Sequence, residues 1–302
     1  VAIIDDGLNP DHPDINVTLG VNVIDGQVVV PEDGLTREFG SAHGEHVAGT
    51  AVGTADPARE EVPRYSVAPG ADLLKANIWP GNPTLADTIR AVQWSVEEDA
   101  DVTSMSLGFG QGAGENIVST TMAQTISNAN AAGTLVIGSA GNEASGVTGG
   151  PVTSPGAEFN SLSVGATDSQ GGVAGFSSGT TVTPNDVLLV EEQGQYPATF
   201  PRSYVKPDVT APGVNVLSTG PLGGNEFDGE PSYSYSSGTS MAAPHVAGAA
   251  ALVQSATATE HSPETIKNAL AESATKPATQ FGNQSERDIR YGTGMINVPA
   301  AT

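Results

Sequence analysis

Val1-Ala2-Ile3-Ile4-Asp5-Asp6-Gly7 opens the chain and decides the reading of its fold. Four consecutive apolar residues, with no polar alternation, read as a strand buried on both faces, the pattern of a parallel sheet. The run stops at Asp-Asp-Gly, so a carboxylate stands at the carboxyl end of that strand, where open α/β sheets gather their ligands. Beyond it, apolar strand-like runs (residues 73–78, 102–106 and 134–137) alternate with helical patterns (84–98 and 118–132). Such alternation implies α/β architecture in three layers, a mostly parallel β-sheet with helices on both faces. No linker-like or low-complexity stretch divides the 302 residues, so one domain over 1–302 is expected.

Two other stretches carry the chemistry. In His43-Gly44-Glu45-His46-Val47-Ala48-Gly49-Thr50, small apolar residues suited to close packing on a sheet follow His43 and place it at a helix N-terminus. Gly238-Thr239-Ser240-Met241-Ala242-Ala243-Pro244 puts Ser240 at the start of an Ala- and Val-rich helix, with Gly238 permitting a tight turn before it. Backbone N–H groups at such a helix start point towards developing negative charge. Asp5, His43 and Ser240 are thus an acid, a base and a nucleophile, in that chain order. A fourth element, Gly138-Ser139-Ala140-Gly141-Asn142-Glu143, follows a short strand and can aim the Asn142 amide at an oxyanion. Losing one such donor costs about 3–4 kcal/mol of transition-state stabilisation.

These motifs resemble those of the subtilisin-like serine proteases, the subtilases, in which the order Asp, His, Ser is found. Further matching stretches are Asp101–Gly108, Ser154-Pro155-Gly156, Ser163–Ala166, Lys206–Gly213 and Gly292–Asn297. The resemblance implies a subtilisin-like fold and a serine endopeptidase in which Asp5 orients the imidazole, His43 is the general base, Ser240 the nucleophile and Asn142 the oxyanion donor. It implies pocket walls at Ser106-Leu107-Gly108 and Ala140-Gly141 with Thr153 at the floor. Small apolar walls favour an apolar residue before the scissile bond, while Glu143 at the rim could admit Lys or Arg. It also implies protein or peptide substrates, a monomeric secreted enzyme, and a precursor with a propeptide. Because Val1 falls within what should be the first strand, the sequence reads as an N-terminally trimmed domain. Residues 179–205 read as an insertion relative to compact family members, forming a surface hairpin. Asp14 corresponds to a family calcium ligand, so a structural calcium is expected there; the chemistry itself requires no cofactor.

Two departures from the family pattern stand out. Asp6 occupies a position that is usually Ser or Thr, and Glu45 one that is usually Thr. Glu45 is expected to face solvent with a minor effect on catalysis. His12, His46 and His245 read as packing residues, and His261 as part of a surface loop; no zinc-type ligand spacing is present. Two rival classes are a catalytically silent peptide-binding subtilase domain, which the intact motifs disfavour, and an α/β-hydrolase esterase. The esterase would need Gly-x-Ser-x-Gly and Ser before Asp and His.

Charge supplies an independent signal. Asp and Glu number 34 against 11 Lys and Arg, a net charge of −23. Such a surface repels nucleic acid and anionic membranes. It also points to a salt-adapted, halophilic branch, because ions at molar concentration screen self-repulsion within about 3 Å. There is no Cys, so no disulfide contributes, and no run is long enough to span a membrane.

Overall fold

The computed structural model describes residues 1–35, 43–80, 82–109, 118–186, 198–220, 231–256, 259–277 and 286–302. The opening strand, β1 (Ala2–Asp5), lies inside an eight-stranded sheet. Its other members are β2 (Val17–Ile24), β3 (Gln27–Val29), β4 (Leu73–Asn77), β5 (Val102–Met105), β6 (Leu135–Ser139), β7 (Leu162–Thr167) and β10 (Val209–Pro212). The order is β10-β7-β6-β5-β1-β4-β2-β3, with every pairing parallel except β2–β3. Two antiparallel pairs stand apart from it, β8 (Thr180–Val182) with β9 (Tyr204–Lys206) and β11 (Val216–Gly220) with β12 (Ser232–Ser236). The helices are α1 (His43–Val52), α2 (Leu85–Glu97), α3 (Thr120–Ala131), α4 (Thr239–Ser255), α5 (Pro263–Ser273) and the short α6 (Val298–Ala301).

The two-residue period of the buried strands sorts side chains between two cores. Ile3, Leu135 and Ile137 join one cluster with α1, α4 and α5. Their neighbours Ile4 and Val136 join the opposite cluster with α2 and α3. The result is the three-layer arrangement that the alternation implies. Local chemistry fixes the helix starts. Thr84 accepts from the Asp87 N–H while Asp87 returns a bond to the Thr84 N–H, a complete capping box for α2. Ser119 caps α3, and Ser262 with Pro263 starts α5.

Strand order reverses at β1, with β4 on one side and β5 on the other. A parallel sheet opens a crevice at such a point, outside the carboxyl ends of its strands. Of residues 179–205, the described part pairs β8 with β9 and buries Phe200 and Tyr204 in a third cluster with Val118, Ala140 and Val152. The apolar run Val187–Val190 and residues 196–197 lie outside the described residues.

Candidate active site

Asp5 ends β1 and is buried, and His43 opens α1. The His43 Nδ1 atom lies 2.7 Å from Asp5 Oδ1, so the ring is held in the tautomer or charge state that presents an N–H to the carboxylate. Asp5 Oδ1 also accepts the Asp6 N–H at 2.9 Å. The Asp5 carboxylate, with a smaller contribution from Asp6, raises the His43 pKa to about 9 against the opposing effect of burial. Asp6 itself accepts the Gly44 N–H at 2.6 Å, a carboxylate at a helix N-terminus. Gly44 is required there: a Cβ would sit 2.5 Å from the Asp6 carbonyl oxygen and 2.8 Å from that of Gly7.

Ser240 is the second residue of α4. Gly238 precedes it in extended backbone at φ 162° and ψ 163°, and its carbonyl accepts the Met241 N–H at 3.1 Å. Pro244 lies inside the helix, and a proline has no N–H to donate to the carbonyl four residues earlier. That carbonyl belongs to Ser240, and Ser106 Oγ donates to it instead at 2.8 Å. In return Ser240 Oγ donates to the Ser106 carbonyl at 3.3 Å. Ser106 directly follows β5, whose Met105 pairs with Ile4 of β1. The nucleophile candidate is therefore anchored beside the strand that carries Asp5.

Asn142 follows Gly141, whose φ of +105° suits glycine. Its Oδ1 accepts both the N–H and the hydroxyl of Thr239, at 2.9 and 3.1 Å, and Thr239 Oγ1 accepts the Gly141 N–H at 3.1 Å. With Oδ1 so engaged, the Asn142 amide has its NH₂ left to donate, one residue from Ser240. Three further stretches converge here. Phe109 bonds to the Ser154 carbonyl at 3.0 Å, joining the residues after β5 to the 153–156 loop. Gly156 packs so closely on Ser139 that a Cβ would meet the Ser139 oxygen at 2.3 Å. Ser106, Leu107, Ala140 and Thr153 are all buried, and Gly108 and Gly141 are partly so.

One expectation is overturned, and the surroundings of a second residue do not favour the ion expected there. Glu45, expected in solvent, is 1% exposed. All of α1 after His43 is covered, and β11 closes over it: Thr219 Oγ1 donates to the Glu45 carbonyl and Ser218 Oγ to that of His46, both at 2.8 Å. Asp14, expected to bind calcium, is surrounded by donors. Its Oδ1 accepts the Ala58 N–H at 2.9 Å, and its Oδ2 accepts the Tyr65 and Tyr233 hydroxyls at 2.7 and 2.8 Å. Calcium is held by converging oxygen lone pairs, whereas here two O–H groups and an N–H point their hydrogens inward, so these residues do not fit the ion. The donor atoms of Asp5, Asp6 and His43 come within 4.8 Å of one another, but the His43–Asp5 and Gly44–Asp6 bonds already occupy them.

The other histidines are packing residues. His12 Nδ1 accepts the Asp14 N–H while Nε2 donates to the Ser232 carbonyl. His46 meets the Val216 carbonyl at 3.0 Å, and His245 the Met241 carbonyl at 2.8 Å. Sequence reasoning passed over one buried ionic cluster. Asp208 accepts from Lys206 Nζ at 2.7 Å and Arg287 at 2.9 Å, with Lys267 Nζ at 3.9 Å. The Lys206-Pro207-Asp208 landmark was visible, but its partners were not.

Comparison with known proteins agrees with this arrangement. The model of the subtilase family matches residues 1–294. Subtilisin E of Bacillus subtilis (strain 168) is 32% identical over 303 residues, covering 100% of this chain and 65% of that protein. Subtilisin of Bacillus pumilus is 31% identical over 303 residues, covering 100% and 90%. Subtilisin Savinase of Lederbergia lenta is 30% identical over 304 residues, with the same coverage. The chain thus spans about 65% of the length of the Bacillus subtilis relative. Since the family match covers residues 1–294, including the segments that carry Asp5, His43, Asn142 and Ser240, the chain belongs to the subtilase family.

Proposed function

We propose that the protein is a serine endopeptidase that hydrolyses peptide bonds through an acyl-enzyme on Ser240. The observation that carries this reading is the 2.7 Å Asp5–His43 bond on the rim that also holds Ser240 and the oriented Asn142 amide. Ser240 Oγ leaves its 3.3 Å bond to Ser106, passes its proton to His43 and attacks the carbonyl carbon. Asp5 orients the imidazole and stabilises its charged form. The Asn142 NH₂ and the Ser240 N–H hold the oxyanion. His43 then protonates the leaving amine, and water repeats the cycle to release the acyl group.

The buried small walls at Ser106–Gly108 and Ala140–Gly141, with Thr153 beneath, support a broad, mainly apolar preference at the residue before the scissile bond. The family supports a secreted monomer made as a precursor with a propeptide. Among the described residues no helix is long and apolar enough to cross a membrane. The net charge of −23 supports salt adaptation. The test is hydrolysis of casein and of an apolar tetrapeptide anilide, with labelling by a serine-directed phosphonate, from dilute buffer to several molar salt. Ser240→Ala is expected to lose both labelling and about six orders of magnitude in turnover, the loss known for subtilisin itself. Retained activity in that variant overturns the reading; activity that falls as salt rises overturns the salt adaptation alone.

A further inference from the structure

The three residues that open α1 are each bonded to the chain leaving β1. His43 is joined to Asp5, Gly44 N–H to Asp6 Oδ1, and Glu45 Oε2 to the Asn9 N–H at 3.2 Å. The first contact is the catalytic pair; the second and third set where that pair sits. Glu45 makes its contact from a buried position, 1% exposed, while its backbone carbonyl is held from the opposite side by Thr219. The family pattern has Thr here, whose side chain is too short to span the same gap. We infer that Glu45 is a positioning residue for the Asp5–His43 pair, its carboxyl clamping the Asn9 turn to the first turn of α1.

The environment of the clamp also sets the form in which it works. Glu45 Oε1 is buried with no hydrogen-bond partner among the described residues. The titratable groups around it are Asp6 from the chain after β1, Tyr65 from the segment after α1, and His43 and His46 on its own helix. β11 contributes the uncharged Ser218 and Thr219. The one cation among these groups is His43, raised to about 9, and its charge is already paired with Asp5. Burial, reinforced by Asp6, pushes the carboxyl up to about 8, so the clamp is a neutral acid at neutral pH. Ionisation above that adds a second negative charge beside Asp6, between the two segments the clamp joins.

The inference rests on the peptidase reading, so Ser240→Ala is assayed alongside to show that the measured turnover is Ser240-dependent. Glu45→Leu removes the acceptor for Asn9 while filling the space. It is expected to lower kcat by about 10- to 100-fold, the scale of a sub-ångström to 1 Å misplacement, with KM changed less than about twofold. Glu45→Gln keeps an acceptor oxygen and should restore kcat to within about threefold of wild type at pH 7. It should also lose less activity than wild type between pH 8 and 10, because its amide does not ionise. A folded Glu45→Leu enzyme with wild-type kcat overturns the inference, as does a Gln variant no better than Leu. If Glu45→Leu does not fold, the comparison of wild type with Glu45→Gln decides: superimposable pH profiles from 7 to 10 overturn it.

Discussion

Asp208→Asn should be the most damaging single substitution outside the catalytic rim. Asp208 is 2% exposed and Lys206 1%, and Lys206 Nζ has the Ser161 carbonyl, 3.0 Å away, as a second acceptor. The Asn side chain preserves shape but removes the charge facing Lys206, Lys267 and Arg287. Removing one partner of a buried pair costs about 3–5 kcal/mol, because the remaining charge stays buried and uncompensated. For 302 residues, at about 2.1 cal/mol/K of unfolding entropy each, that corresponds to roughly 5–8 °C in Tm. Linkage supplies a second measure. The cationic neighbours overcome burial and hold Asp208 at about 2, below its ordinary 3.8. At about 1.36 kcal/mol per unit, the depression amounts to roughly 2–3 kcal/mol. A depressed carboxylate contributes stability above its unfolded pKa and loses it as pH falls through the folded value. The gap between wild type and variant should therefore be full above pH 4 and narrow towards pH 2. The assay is guanidinium unfolding followed by circular dichroism, both proteins carrying Ser240→Ala so that self-digestion does not intrude. A loss below about 1 kcal/mol at pH 7, or a gap constant from pH 4 to 2, would refute the reading of Asp208 as the ionised counter-charge of buried Lys206.

Asp6→Asn keeps an oxygen for the Gly44 N–H but removes a charge that raises the His43 pKa. The acid limb of kcat/KM, displaced above the ordinary imidazole range in wild type, should move to lower pH in the variant; a limb that stays in place dissociates Asp6 from the base. Tyr65→Phe combined with Tyr233→Phe should lower Tm by several degrees, since each removes a hydrogen bond to buried Asp14 worth roughly 1.5–3 kcal/mol for a charged acceptor. A chelator should leave the wild-type Tm unchanged if Asp14 is held by these hydroxyls; a chelator-sensitive Tm that the double variant abolishes would restore an ion to this position.

The positions proposed as catalytic are the ones local sequence marks, because each sits where an element begins or ends. Asp5 terminates an apolar run, His43 and Ser240 open helices rich in small residues, and Asn142 follows a glycine at positive φ. The surroundings of two carboxylates, Glu45 and Asp14, were not legible, for a common reason. A Glu in a helix is ordinarily exposed, and nothing within ten residues of Glu45 indicates otherwise. Its cover comes from β11, more than 170 residues away. Asp14 likewise takes a donor from Tyr233 of β12, 219 residues on. Both depend on the β11–β12 hairpin folding over α1, a tertiary event with no local signature. The partners of Asp208 are hidden in the same way, since Arg287 reaches it from 79 residues downstream.

Pro244 has a mechanical consequence. By withholding one rung from the first turn of α4, it hands the Ser240 carbonyl to Ser106, and the backbone of the proposed nucleophile becomes a passenger of the segment after β5 that is proposed to wall the pocket. Strain applied to residues 106–109, whether by a bound peptide or by a bulky pocket substitution, is then transmitted through the 2.8 and 3.3 Å bonds between Ser106 and Ser240 to the attacking residue. Selectivity and turnover in this enzyme should consequently resist independent tuning: redesigning that wall to accept a new side chain also moves the oxygen that cuts.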